Sequence, residues 1–231
     1  MTRSLIITGF IFSLLTSAGF AQLPGRSATI SGGAQLAVPR GEYAELYKGT
    51  PFGINASLSM PILKLPIEAG GGFAWNKIGG EGRDVFIADE MGDAQEAELN
   101  LNGNAYTYYV QARLRPFNGD FRPYGEVIAG MRAYSVKSKL LMVTPQGTDI
   151  DPLTEVSDRD FVWVTGWAVG LQYRLFSGVF LEGRFEKLKG DRAQYINPES
   201  INITRSGEYN YETHQSRTDQ FTFSLGLAFS F

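Results

Sequence analysis

The chain has 231 residues, no cysteine, one histidine and a formal net charge of −3. These numbers exclude a disulfide scaffold, thiolate chemistry and a multi-histidine metal centre; without a basic surplus, nucleic acid is not an expected partner. Hydrophobic content of 43% with 19% charged residues fits one folded domain, and neither a metal nor a cofactor is expected.

The first element in chain order is an export signal. Arg3 supplies a positive start, Leu5 to Leu15 an apolar run of eleven, and Ala18, Gly19 and Ala21 the small residues of a cleavage site. A spanning helix needs about 20 apolar residues, so this run reads as a secretory signal. Residues 1–21 are expected to be removed, leaving 22–231 as one domain. After residue 21 no uncharged run reaches helix-spanning length; the longest, Gly49 to Leu63, is broken by Pro51, Asn55 and Pro61. The mature chain is therefore exported and soluble, or it crosses a membrane as strands.

Period two then runs through the sequence. Segment 27–38 sets Ile30, Ala34, Leu36 and Val38 against Thr29, Ser31 and Gln35. Segment 50–60 sets Phe52, Ile54, Ala56 and Leu58 against Asn55, Ser57 and Ser59, and 66–76 sets Ile67, Phe73 and Trp75 against Glu68 and Asn76. Segment 104–115 alternates Tyr106, Tyr108, Val110, Ala112 and Leu114 with Thr107, Gln111, Arg113 and Arg115. Segment 123–135 alternates Val127, Ala129 and Met131 with Tyr124, Glu126 and Arg132. Segments 161–175 and 179–188 add Trp163, Trp167, Val169, Leu171 and Tyr173 against Gln172 and Arg174, and Val179, Leu181 and Phe185 against Glu182, Arg184 and Glu186. The final DQFTFSLGLAFSF sets Phe221, Phe223, Leu225, Leu227, Phe229 and Phe231 against small or polar residues.

Alternate residues of a strand face opposite sides, so each segment has one apolar and one polar face. Eight segments of about 10–15 residues match the length that a tilted strand needs to cross a bilayer. Their connections run about 11, 5, 27, 7, 25, 3 and 30 residues, long and short in strict alternation. The expected fold is all-β: a transmembrane antiparallel up-and-down barrel of eight strands, with short periplasmic turns and long extracellular loops.

A charge facing lipid costs a few kcal/mol at mid-depth, so the charged face is expected to line the lumen. That face carries Glu68, Arg113, Arg115, Glu126, Arg132, Arg174, Glu182, Arg184 and Glu186. Eight strands enclose space only for their own side chains, so these charges are read as a salt-bridged plug, with an ion path as the alternative. On the opposite face Phe52, Trp75, Tyr106 and Trp163 fall near the long loops, and Tyr173 and Phe229 near the turns, as two interfacial girdles.

The chain resembles the eight-stranded outer-membrane barrels of the OmpA and OmpX type. The resemblance spans about residues 27–231 and rests on the strand pattern, RPYGEVIAGMRAY at 122–134, GWAVGLQYRL at 166–175 and the terminal SLGLAFSF. It implies a Gram-negative outer membrane with a periplasmic N-terminus and a monomer embedded in outer-membrane lipid and lipopolysaccharide. It also implies that the barrel assembly machinery reads the last strand through Leu227, Phe229 and Phe231, and that the loops meet a surface ligand not identified by sequence. The expected role is envelope integrity, adhesion or surface recognition, without catalysis; a narrow porin-like channel is the second reading.

The third is a hydrolase. His214 and Ser216 share the spacing of the histidine and serine of PagL-type lipid A deacylases, and residues i and i+2 share a strand face. Those enzymes resemble serine hydrolases with an acid about a dozen positions later. Here Asp219 is the only carboxylate after Ser216, and Glu208 and Glu212 precede it. A triad needs its histidine oriented by a third group, so catalysis is not the leading expectation. The second long loop carries Glu81, Asp84, Asp89, Glu90, Asp93, Glu96 and Glu98 against Lys77 and Arg83 and is expected to be a solvated acidic loop, with a short helix over 88–98.

Overall fold

The computed structural model describes residues 28–231 except 47–48, 63–64, 79–81, 89–93, 145–146, 149–154, 197–201, 204–208 and 211–212. The signal segment 1–21 lies outside the described residues. In chain order the elements are β1 (Thr29–Pro39), the short helix α1 (Glu42–Leu46), β2 (Phe52–Pro61), β3 (Ile67–Lys77), β4 (Gly82–Ala88) and β5 (Ala94–Leu114). There follow β6 (Phe121–Thr144), β7 (Gly147–Thr148), β8 (Glu155–Phe176), β9 (Val179–Gly190), β10 (Arg192–Ile196), β11 (Asn202–Ile203), β12 (Tyr209–Asn210), β13 (Thr213–Arg217) and β14 (Gln220–Ser230).

Eight of these strands close a barrel in the order β1, β2, β3, β5, β6, β8, β9, β14 and back to β1, every pairing antiparallel. Closure leaves no open sheet edge within the barrel, which a bilayer would not tolerate. The seam joins the first strand to the last, from Thr29 opposite Ser230 to Pro39 opposite Gln220. Among the described residues no helix is long and apolar enough to cross a membrane.

Side chains sort as the alternation predicts. Val110, Val127 and Leu225 point outward at mid-strand and are 65%, 63% and 62% exposed, as no water-soluble core would leave them. Thr29, Ser31, Gln35, Glu68, Thr107, Gln111, Arg113, Glu126 and Gln172 point inward and are buried. The barrel is thus apolar outside and polar inside, the arrangement of a strand-spanning membrane protein.

Two close approaches depend on glycine. A Cβ on Gly72 would stand 2.4 Å from the Tyr109 ring, and one on Gly170 would stand 2.2 Å from the Tyr124 ring. Both tyrosines are buried in the lumen. The bare glycine backbone makes the bed on which each ring lies.

The strands differ in height. β5, β6 and β8 have 21, 24 and 22 residues, whereas β1, β2, β3, β9 and β14 have ten to twelve. About ten residues cross a bilayer, so the three long strands rise beyond it on the loop side. There β4 pairs with the start of β5, and β5 stays paired with β6 up to Ala97 opposite Met142. Where residues 88–98 are described, strand replaces the expected helix: Ala88 ends β4 and residues 94–98 belong to β5, while 89–93 lie outside the described residues. The residues explain why, because AELNLN at 97–102 alternates with period two and offers no helical stripe.

The phase of that alternation is reversed. Within the barrel the odd positions of β5 carry the inward Thr107, Gln111 and Arg113. The same parity continues upward as Leu101, Leu99 and Ala97, and the even positions become Asn102, Asn100, Glu98 and Glu96. In the sequence, the phase of the alternation therefore reverses near Gly103.

Candidate functional site: the plugged lumen and the loop end

Ion pairs fill the middle of the lumen. Glu126 on β6 accepts Arg113 Nε at 2.6 Å on one carboxylate oxygen and Arg184 Nε at 2.8 Å on the other. Arg184 Nη2 continues to Glu186 at 2.6 Å, and Arg113 Nη2 reaches Glu182 at 3.6 Å. Glu182 also accepts the Tyr124 hydroxyl at 2.5 Å and Gln172 Nε2 at 3.1 Å. The Arg113 guanidinium lies 4.1 Å above the centre of the Tyr124 ring. Glu126 on β6 and Arg184 on β9 meet across β8, where register sets the small Ala168 and Gly170 opposite them. Four charged side chains in a chain, each touching the next, offset the cost of desolvation that any one alone would suffer.

A second pair sits nearer the turns. Arg115 Nη2 approaches Glu68 at 2.6 Å, Glu68 also accepts Ser59 Oγ at 2.9 Å, and Arg115 Nη1 donates to Thr29 Oγ1 at 3.5 Å. Nearby, Arg122 lies 3.9 Å over the Phe180 ring and donates to the Gly119 carbonyl at 2.9 Å.

Arg132 is different. Fully buried toward the loop end, it donates to Thr107 Oγ1 at 3.0 Å, the Thr218 carbonyl at 3.3 Å and the Tyr134 hydroxyl at 3.5 Å. Its described partners are neutral acceptors. Beside this level Gln35 Nε2 donates to Asn76 Oδ1 at 2.8 Å and accepts Asn55 Nδ2 at 3.0 Å on its own amide oxygen.

An apolar stopper closes the loop end. Tyr43 of α1 packs with Ala105, Tyr134, Val162, Val164 and Ala193, all buried, and its ring meets that of Tyr134 edge-on at 6.4 Å. Glu42, next to it, accepts the backbone N–H of Arg217 on β13 at 3.2 Å. The first long loop is thereby tied across the opening to the last.

Eight of the nine charges expected in the lumen line it: Glu68, Arg113, Arg115, Glu126, Arg132, Glu182, Arg184 and Glu186. Arg174 stands at the open mouth of the lumen, at the turn end of β8: its guanidinium lies 5.6 Å from the centre of the buried Phe180 ring, it pairs with Asp120 at 3.0 Å, and its side chain is 41% exposed. Sequence reading did not single out Tyr109, Arg122, Phe180, Ile128 and Leu188 as lumen residues, although all are buried. The available signal was parity, since each shares the phase of the charges on its own strand.

Of the expected girdle, Phe52, Trp163, Tyr173 and Phe229 stand exposed on the outer face, and Trp75 and Tyr106 are half-buried there. Trp75 donates its indole N–H to Asn104 Oδ1 at 2.9 Å. Leu227, Phe229 and Phe231 all point outward at 39%, 46% and 60% exposure.

His214 and Ser216 lie on β13, opposite Tyr195 and Ala193 of β10. Ser216 is buried; the His214 side chain, Glu208 and Glu212 lie outside the described residues. Asp219 accepts the Gly190 backbone N–H at 3.2 Å. Among the described residues no cluster of three or more His, Cys, Asp or Glu could hold a metal. All seven acidic side chains of the second loop also lie outside what is described.

No family model matches the chain, and no curated protein does. Solved structures with a similar chain path include a major outer membrane protein from Thermus thermophilus, at 12% identity and a TM-score of 0.48, covering 89% of this chain and 100% of that one. Neisserial surface protein A gives 12% identity and a TM-score of 0.47, with 88% and 97% covered. Ail, the attachment invasion locus protein of Yersinia pestis, gives 14% and 0.44, with 89% and 99% covered. The assignment rests on the chain's own geometry: a closed, antiparallel, eight-stranded barrel with aliphatic and aromatic side chains outside and paired charges within is a transmembrane β-barrel.

Proposed function

We propose that the protein is a closed, monomeric, non-catalytic barrel of the Gram-negative outer membrane, whose loop end is its working surface in envelope integrity, adhesion or recognition. The observation that carries this reading is the double closure of the lumen, by the Arg113–Glu126–Arg184–Glu186 chain at mid-height and by the Tyr43 stopper above it. Charged and aromatic side chains so placed would block a water path, and the structured surface lies where β5, β6 and β8 rise past the membrane. In this reading the N-terminus and the short turns are periplasmic, and Leu227, Phe229 and Phe231 present their outward side chains to the assembly machinery.

Planar-bilayer recording of the full chain tests it. No steady single-channel steps are expected, and reproducible steps would overturn the plug. Adherence of cells that carry the protein, compared with cells whose 40–51 loop and β5–β6 extension are trimmed, tests the surface role. Equal adherence or equal envelope leakage would remove it.

A further inference from the structure

The outer wall made by β8, β9, β14 and the end of β1 carries charges that a lipid-facing wall does not need. Strand parity puts Lys187 and Lys189 on the outer face of β9, in line with Leu181 and Phe185. Arg40, just past β1, is held beside them by its backbone N–H to the Asp219 carbonyl at 2.9 Å. The Phe221 ring lies between two of the cations, 4.6 Å from Arg40 Cζ and 5.6 Å from Lys187 Nζ. With Leu188, Asp219 and Gln220 they line a recess of about 290 Å³. Among the described residues neither Arg40 nor Lys187 is ion-paired. Arg40 and Lys187 face one carboxylate in the recess, Asp219, which also accepts the Gly190 N–H, so two cations against one anion leave the cleft net positive.

A second feature lies beneath it on the same face. Phe185 packs among Trp167, Phe221 and Phe223 at centroid distances of 5.8, 5.5 and 5.0 Å. One step lower in the row comes Gly183, opposite Leu171 and Leu225 in register. A Cβ there would meet nothing within 4 Å. The wall dips at this point into a groove of about 490 Å³ lined by Val169, Leu171, Phe185 and Phe223 among others. From Gly183 to Lys187 the strand rises about 13 Å, a length that an acyl chain covers.

We propose that this wall binds one phosphorylated amphiphile of the outer leaflet, its phosphate on Arg40 and Lys187 and an acyl chain laid over Phe185 into the Gly183 groove. Cations seated against a ring at the interface are partly desolvated and attract phosphate strongly. A free anion would leave the groove empty; a neutral lipid would leave the cations unmatched. The inference rests on the orientation proposed above, which puts the loop end at the outer leaflet.

The test uses the full chain in phosphatidylcholine nanodiscs doped with bisphosphorylated lipid A, with native mass spectrometry reading the lipid retained. One lipid A per barrel is expected. Arg40→Gln with Lys187→Gln should weaken retention about tenfold or more, since two charged contacts are lost. Gly183→Leu, which fills the groove while leaving the cations in place, should weaken it several-fold by the loss of apolar contact. Heat-modifiable migration on a gel checks that each variant is folded. Unchanged retention in both variants, equal retention of dephosphorylated lipid A, or competition by millimolar inorganic phosphate would each overturn the lipid site. The orientation is read separately: Thr50→Cys shielded from a membrane-impermeant thiol reagent on intact cells overturns that reading, whatever the nanodiscs show.

Discussion

At the scale of single residues, Glu126 is the side chain on which most depends. Each of its oxygens holds one guanidinium, from Arg113 and from Arg184, in a space without bulk water. Glu126→Gln leaves two buried cations short of a counter-charge and is expected to cost about 3–5 kcal/mol of unfolding free energy, read by urea titration from lipid vesicles. Glu126→Leu combined with Arg113→Met should cost less than the two single changes added together, because the pair disappears as a unit. Arg174→Ala, which removes an exposed pair with Asp120, should cost less than about 1 kcal/mol. Equal costs for Glu126→Gln and Arg174→Ala would show that the chain of pairs has no special weight. The contrast also marks what the sequence could convey. Alternation tells which face a residue occupies and is blind to depth, so Arg174 and Arg113 looked alike until the height of each was known. Phe180 shows the opposite case, since its size suits the lipid face while its phase on the strand points inward, where it is buried.

Among the elements, the strands announced themselves and their upper ends did not. Each barrel strand repeats one simple rule over ten or more residues, and a local rule survives in a single sequence. Above Gly103 the rule continues with its phase reversed, so a reader matching apolar residues to the lipid face stops too early, and the 27- and 25-residue connections look like loops. The position of that reversal is measurable. Val110→Arg, in the middle of the outer face of β5, should destabilise by about 2–4 kcal/mol, and Asn102→Arg by about 1 kcal/mol or less. A large cost at residue 102 in the same urea titrations would place the membrane boundary higher. The turns are simpler: Ser177 and Gly178 join β8 to β9, and Gly178 has φ +77°. Gly178→Ala should therefore destabilise by about 1 kcal/mol, with loss of heat-modifiable migration at a lower temperature.

For the whole molecule, orientation is the property with the widest reach, and the lack of native cysteine makes it direct to measure. Thr50→Cys, between β1 and β2, should react on intact cells with a membrane-impermeant thiol reagent, whereas Asn118→Cys, in the β5–β6 turn, should react only after the outer membrane is opened. The reverse pattern would invert the molecule. The Tyr43 stopper had no trace in the sequence, because a contact between a loop and a distant strand obeys no period. It is a property of the assembled barrel alone.

The seam between β1 and β14 carries one more consequence, for the order of events in time. Thr29 and Ser230 are neighbours across it, although roughly 200 residues of chain separate them, so closing this joint carries the largest loop entropy in the molecule. Every other barrel pairing joins strands that follow one another closely, and can form earlier. Until the last strand arrives, the growing sheet has two raw edges, each able to recruit a stranger. At the meeting place Gly33 and Gly226 approach so closely that a Cβ on either would strike the other's backbone, within 2.7 Å. The final joint is therefore made where the two edges are smoothest, and the barrel becomes a finished object only when its first and last strands recognise each other.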